Sequence, residues 1–70
     1  MDRIKVESTN IKSIGYNEVK VILEIEFLNG SIYNYFKVKP KTFKEIMKAE
    51  SKGKYFHKNI REKYEYLRVN

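Results

Sequence analysis

Apolar and polar side chains alternate strictly between residues 21 and 27. A period of two indicates a β-strand with one buried face and one exposed face. The apolar positions are Val21, Leu23, Ile25 and Phe27. We therefore expect this segment to be a central strand of an antiparallel sheet.

Asn29-Gly30 follows this strand, and the pair is the strongest short signal for a two-residue hairpin turn. The return strand then covers residues 32–38, which are rich in aromatic and β-branched side chains. A two-residue loop pairs Leu23 with Phe36 and directs both toward the core. In this register Tyr33 and Tyr35 lie on the opposite face, beside the glutamates at positions 24 and 26.

Val38-Lys39-Pro40 predicts the start of a first helix, since proline is favoured at the first helical position. Lys39 would then be the N-cap residue, whereas an alternative start uses Thr42 as the N-cap with Glu45 in a capping box. In either case a stripe of apolar residues packs on the apolar face of the sheet. Its members are Phe43, Ile46 and Met47.

A second, strongly basic helix is predicted after Ser51, whose side chain is suited to cap it. At helical spacing, Phe56 and Ile60 lie on one side of this helix. The opposite side carries four residues that we call the basic stripe: Lys54, His57, Lys58 and Arg61. A helix whose apolar side is buried and whose other side is basic is typical of a surface that contacts phosphate.

The two ends of the chain give weaker signals. Residues 8–16 suit a short, partly edge-like strand with a bend or bulge at Gly15. The tail after residue 61 either extends the second helix or forms a last strand, and tyrosines two positions apart favour the extended form. The predicted fold is α+β: an antiparallel three-stranded meander packed by one helix, followed by a short basic helix and an extended tail.

Length and charge limit the classes of function. Seventy residues form one small domain, expected to span residues 1–70. There is no cysteine, no membrane-spanning apolar run and no signal-peptide pattern, so we expect a cytoplasmic protein without disulfides. Residues 1–36 carry a net charge of −1 and residues 37–70 carry +7. This asymmetry favours a polyanionic partner for the C-terminal half.

Few catalytic chemistries are compatible with this composition. One histidine and no cysteine exclude the usual metal-ligand sets, and no cofactor motif is present. Ser51 and His57 have no acid placed to orient them as a nucleophile and base. The enzymatic alternative that remains is a small metal-independent ribonuclease that would use Tyr35, Lys54, His57 and Arg61.

Several short motifs occur in an order that resembles the KTSC domain, a module found at the C-terminus of some lysyl-tRNA synthetases and as small bacterial and phage proteins. The motifs are Ser13-Ile-Gly-Tyr16, Asn29-Gly30, Tyr33-Asn-Tyr-Phe36, Val38-x-Pro40, Ala49-Glu-Ser-Lys-Gly-Lys-Tyr-Phe56 and Ile60-Arg61. Tyr33 and Tyr35 match the Tyr-x-Tyr motif of the family. The synthetase context implies an RNA partner. In the family tail the last tyrosines tend to flank a proline, whereas Glu65 separates them here.

The sequence leads to a hypothesis of a non-enzymatic RNA-binding module, monomeric or weakly dimeric, with tRNA among its candidate partners. The expected contacts are Tyr33, Tyr35, Lys37, Lys54, Tyr55, His57, Lys58 and Arg61, with lysines and arginine on phosphates and tyrosines on bases. Two interpretations of Tyr33 and Tyr35 stay open: an exposed stacking platform, or a second small core covered by the tail. The alternative function is a protein-interaction module that binds an acidic partner.

Overall fold

The computed structural model describes all residues from 1 to 70 and contains one antiparallel sheet and two helices. The sheet has five strands, in the spatial order in which they occur along the chain. The elements are β1 (Arg3–Lys5), β2 (Ile11–Asn17), β3 (Ile22–Phe27), β4 (Ile32–Tyr35), α1 (Pro40–Lys48), α2 (Lys52–Asn59) and β5 (Tyr66–Arg68). The α+β class is confirmed, but the three-stranded meander is wrong because β1 and β5 add a strand at each edge.

The β3–β4 hairpin closes through a three-residue loop rather than the predicted two-residue turn. The Gly30 N–H donates to the carbonyl of Phe27 at 2.9 Å, and the Phe27 N–H donates to the carbonyl of Ser31 at 2.9 Å. Gly30 has φ +94°, as the third residue of such a loop requires. Asn29 has no positive φ; instead its side-chain oxygen accepts the Ser31 N–H at 3.0 Å.

The extra loop residue shifts the pairing of β3 and β4 by one position. Leu23 pairs with Tyr35 and Ile25 pairs with Tyr33, so the predicted Leu23–Phe36 pair is wrong. A shift of one residue exchanges the two faces of a strand. Tyr33 and Tyr35 therefore lie on the same face as Leu23 and Ile25, and no longer on the face of the glutamates.

The core lies between this face and the two helices. Leu23, Ile25 and Ile46 are fully buried in it, and Tyr35 is 4% exposed. Helix α1 begins as predicted, with Lys39 as the N-cap and proline at its first turn, so the alternative start at Thr42 is wrong. The apolar stripe of α1 is also confirmed: Ile46 is buried, and Phe43 and Met47 are half-buried against the same core.

The other face of the sheet carries Glu24 and Glu26, and no helix packs on it. Arg3 donates to Glu24 at 2.6 Å and to the Ser13 hydroxyl at 3.1 Å. Ser13 donates to Glu26 at 2.8 Å, and Lys12 lies 4.0 Å from the same carboxylate. The acids are therefore neutralised within the protein.

Strand β2 is an interior strand, because β1 covers the edge that was predicted to be open. The register irregularity lies between Ile11 and Ser13 rather than at Gly15. Gly15 is needed for close approach: a Cβ there would lie 2.8 Å from the carbonyl oxygen of Asp2. The glycine therefore admits the β1 segment, and the prediction of a bulge at this position is wrong.

The tail is extended, as expected, and adds β5 beside β4 instead of folding over the sheet. Tyr66 pairs with Tyr35 and Arg68 pairs with Tyr33. The side chain of Asn70 closes the end of the strand, since its amide donates to the Gly30 carbonyl at 2.6 Å. The tail thus sets Tyr66 beside Tyr35, and Tyr35 itself belongs to the core and is not part of an exposed platform.

Candidate functional site

Helix α2 presents the basic stripe to solvent, as the sequence predicted. The Ser51 hydroxyl caps the helix by accepting the Lys54 N–H at 3.2 Å. Phe56 and Ile60 are buried, whereas all four residues of the basic stripe are exposed. The helix itself ends at Asn59, and Arg61 follows in the adjoining turn with a guanidinium nitrogen 3.4 Å from His57 Nδ1.

The positive charge of the basic stripe is not compensated within the protein. The three ion pairs of the structure all involve Arg3 or Lys12, on the other face of the sheet. No carboxylate lies within 4.0 Å of Lys54, Lys58 or Arg61 under the same distance criterion. The cations of α2 are therefore free to pair with an external anion.

An open groove of about 600 Å³ lies between α2 and the β4–β5 edge of the sheet. We call it the aromatic groove. Its lining residues are Asn10, Phe27, Asn29, Ser31, Tyr33, Tyr35, Phe56, His57, Arg61, Glu62, Tyr64 and Tyr66. His57 and Arg61 belong to the basic stripe as well, so the two features share a boundary.

The rings of the aromatic groove are in mutual contact. The Tyr66 ring centroid lies 5.7 Å from those of both Tyr33 and Tyr35. Behind them, the Phe56 ring packs edge-on against Tyr35 at 5.5 Å and against Phe27 at 5.3 Å. Tyr66 is 57% exposed whereas Tyr35 is 4% exposed, so the groove has a buried aromatic floor and one exposed ring.

The six tyrosines fall into two groups by their hydroxyls. Tyr16 donates to the carbonyl of Val38 at 2.5 Å, Tyr55 donates to Glu45 at 2.7 Å, and Tyr64 lies 3.5 Å from the Thr42 hydroxyl.

By contrast, the hydroxyls of Tyr33, Tyr35 and Tyr66 make no hydrogen bond within the protein. All three tyrosines line the aromatic groove. None of these hydroxyl oxygens is buried, so all three open on the groove and are accessible to water or a ligand.

The Tyr35 hydroxyl stays protonated over the physiological range. Burial raises the pKa of Tyr35 to about 12, and the nearby Tyr33 and Tyr66 hydroxyls act in the same direction. The Arg61 charge opposes this rise in pKa, and both residues line the same groove. The groove therefore offers a neutral hydrogen-bond donor beside a fixed cation.

The structure brings together only part of the predicted site. Tyr33, Tyr35, His57 and Arg61 line the aromatic groove. Lys54 and Lys58 are exposed on α2 but do not line it, so they flank the site.

Two predicted contacts lie elsewhere. Tyr55 is half-buried and its hydroxyl donates to Glu45 of α1, so this tyrosine links the two helices. Lys37 is exposed at a separate, smaller cavity of about 270 Å³, beside Phe36 and Lys63.

Sequence reasoning missed Tyr66 and Glu62 as groove residues. The only signal for Tyr66 was the spacing of the last two tyrosines, which favours a strand. The spacing of these tyrosines does not predict that the strand pairs with β4. Glu62 is the only carboxylate among the lining residues.

The chain has neither a cluster of metal-ligand residues nor a membrane-spanning helix. No group of three or more histidine, cysteine or acidic residues is arranged to hold a metal ion. Neither helix has the length and apolar character needed to cross a membrane.

Comparison with known proteins gives a consistent family. The KTSC domain model matches residues 7–64. An uncharacterised protein of Stutzerimonas stutzeri is 32% identical over the full length of both chains. The lysine–tRNA ligase of Trichormus variabilis is 43% identical over 96% of this chain, which corresponds to 12% of that enzyme. The crystal structure of a KTSC domain protein from Yersinia pestis has a TM-score of 0.94 and 34% identity, covering 99% of this chain and 97% of that chain.

Proposed function

The chain belongs to the KTSC domain family, and from this premise and the geometry of α2 we propose that it is a non-enzymatic RNA-binding module. The basic stripe contacts phosphates, and the aromatic groove lies beside it for bases. The observation that carries the proposal is that the unpaired guanidinium of Arg61 and three unpaired tyrosine hydroxyls line the same cleft, next to the exposed lysines of α2. Proteins that bind single-stranded nucleic acids combine these same two elements.

The corrected register removes an electrostatic objection to this proposal. If Tyr33 and Tyr35 shared a face with Glu24 and Glu26, the carboxylates would repel a phosphate backbone. The tyrosines instead lie on the helix side of the sheet, and both glutamates are paired with Arg3 on the other side. The surface around the groove therefore keeps its positive charge.

The relatives support RNA as the polyanion. Lysine–tRNA ligases act on tRNA by their name, and the matching region makes up 12% of the Trichormus variabilis enzyme. A small module attached to an enzyme with an RNA substrate is well placed to add affinity for that substrate. We extend this role to the present chain.

A salt titration tests the proposal. Binding of the wild-type chain to bulk tRNA is measured beside a Lys54→Glu/Lys58→Glu variant, because each phosphate contact contributes about 0.7–0.9 to the slope of log K against log salt. We expect the variant to lose binding and to keep its thermal transition, since both lysines are exposed.

The matched control is Lys5→Glu/Lys20→Glu, which changes the net charge equally at exposed lysines in the N-terminal half. This control should bind almost as the wild type does. No binding of tRNA by the wild type at low salt, or equal losses in both variants, would refute the proposal.

A protein-interaction module is the second candidate function. Strand β5 is a sheet edge whose Tyr66, Leu67 and Arg68 are all exposed, and Leu67 is 60% exposed. An edge strand of this kind can accept a strand from another protein. A partner that the chain retains from nuclease-treated lysate and that a Leu67→Lys variant releases would favour this function over RNA binding.

A further inference from the structure

We propose that the aromatic groove receives one unpaired nucleotide of an RNA strand, with its base on the Tyr66 ring and its phosphate at Arg61 and His57. This inference rests on the proposed function and specifies its ligand. It predicts a preference for single-stranded over double-stranded RNA.

The ring of Tyr66 is suited to stacking because it is both exposed and fixed. Its backbone is paired with Tyr35 in the sheet, and its ring contacts those of Tyr33 and Tyr35 at 5.7 Å. A ring held in place by its neighbours loses little conformational entropy when a base stacks on it. Every base has a π-face, so this contact does not require a particular sequence.

The hydroxyls of the groove provide the polar half of the site. The Tyr35 ring is buried, but its hydroxyl opens on the groove and has no hydrogen-bond partner within the protein. Phenolic hydroxyls can both donate and accept, which suits the mixed edges of a base or a ribose hydroxyl. In a duplex these base edges are already paired and both base faces are stacked, so only an unpaired nucleotide can use this cleft.

Arg61 supplies the fixed positive charge for the phosphate in the groove. Arg61 and His57 line the groove 3.4 Å apart, and Lys54 and Lys58 continue the positive surface along α2. A strand whose base enters the groove would therefore run on along the basic stripe. Glu62 is the one opposing charge in the groove, and it follows Arg61 in the chain.

The size of the groove agrees with one nucleotide. Its volume of about 600 Å³ lies within the ~300–1,000 Å³ of clefts that bury a small organic ligand. The cleft is open along one side, as a continuous strand would require.

The test compares one RNA of about ten nucleotides, within the usual site size for such proteins, as a single strand and as a duplex with its complement. We expect the wild type to prefer the single strand. A Tyr66→Leu variant should weaken single-strand binding by about 5- to 150-fold, which is the loss of one base stack. Its duplex binding should change little.

The matched control is Leu67→Ala, at the next position of β5 but on the other face of the sheet, where it pairs with Asn34. This control should leave both affinities unchanged. A free 5′-adenosine monophosphate should compete only at far higher concentration than the RNA, since it lacks the contacts to Lys54 and Lys58.

Failure of the groove and failure of the proposed function give different results. Equal affinity for single strand and duplex, an unchanged Tyr66→Leu variant, or free nucleotide that competes as well as RNA would overturn the groove proposal. In those cases loss of binding in Lys54→Glu/Lys58→Glu would still support RNA binding. No binding of either RNA by the wild type would overturn both.

Discussion

The helix-covered side of the sheet has two ends that use tyrosine in opposite ways. At the α1 end, the Tyr16 ring stacks on Phe43 with centroids 4.9 Å apart, and its hydroxyl donates to the carbonyl of Val38. At the α2 end, Tyr35 and Tyr66 also contact other rings, but their hydroxyls have no partner in the protein. The rings are packed at both ends, and only the first end has its polar atoms satisfied.

This difference separates structural tyrosines from candidate binding tyrosines. A satisfied hydroxyl contributes to stability, and its loss leaves a partner unpaired. An unsatisfied hydroxyl in a cleft contributes little to stability and is available to a ligand.

Removing apolar volume at the α1 end should have the largest effect on stability. Ile46→Ala deletes a fully buried side chain of α1 and should lower the free energy of unfolding by ~2–5 kcal/mol. A domain of this size has little reserve, so the variant should be largely unfolded at room temperature. Circular dichroism and urea titration measure this loss. A variant that melts within a few degrees of the wild type would show that this end is not the core of the fold.

Removing one tyrosine hydroxyl at each end should change stability at the α1 end only. Tyr16→Phe should lower the free energy of unfolding by ~1 kcal/mol, because the carbonyl of Val38 loses its donor. This corresponds to about 4–8 °C in Tm for a domain of this size. Tyr66→Phe should leave Tm nearly unchanged. Equal shifts in thermal denaturation of the two variants would contradict the separation.

Alkaline pH should destabilise the fold through its tyrosines. The pKa of Tyr35 is raised to about 12 by burial, and that of Tyr55 is raised to about 12 by burial and by its hydrogen bond to Glu45. Between about pH 10 and about pH 12 the unfolded chain releases these protons first, so stability is complete below pH 10 and falls as pH rises. Urea titrations at several pH values should show a shallower fall for Tyr35→Phe. An unchanged fall would mean that the pKa of Tyr35 is not raised in the folded protein.

The smallest expected effect concerns the carboxylate of the aromatic groove. Glu62→Gln removes one negative charge beside Arg61 and should raise RNA affinity about two- to five-fold at low salt, an effect that added salt screens. The control is Glu18→Gln in the exposed β2–β3 turn, which should not change binding. Filter binding or fluorescence anisotropy at two salt concentrations measures the difference. A lower affinity for Glu62→Gln would contradict the proposed position of the phosphate.

The helices could be predicted from the sequence because their ends carry local signals. Pro40 after Lys39 and the cap at Ser51 mark both starts, and the spacing of Phe56 and Ile60 identifies the buried side of α2. These signals depend on neighbours in the chain and not on tertiary context. The exposure of the basic stripe was predicted correctly for the same reason.

The hairpin register could not be predicted because two loop lengths fit the same sequence. Asn29-Gly30 is compatible with a two-residue loop and with a three-residue loop that ends in Gly30. Strand β4 has only four residues, and both of its faces contain large apolar or aromatic side chains. The hydrophobic pattern therefore did not distinguish the two registers.

The edge strands and the groove depend on long-range pairing. Arg3–Lys5 and Tyr66–Arg68 have three residues each, all of them exposed, and three residues are too few to establish a periodic pattern. The groove exists only because β5 pairs with β4 and sets Tyr66 beside Tyr35. Sequence spacing could identify the tyrosines but not their assembly into one site.

RNA is proposed to bind at the cleft between α2 and strands β4 and β5. Amide and tyrosine-ring NMR shifts, recorded while single-stranded RNA is added to the labelled chain, test it most directly. We predict changes in α2, in Arg61 and at the rings of Tyr35 and Tyr66, with the Tyr16 ring and Glu24 unaffected. Changes centred on Glu24 and the open face of the sheet, or none at saturating RNA, would show that RNA does not bind at this cleft.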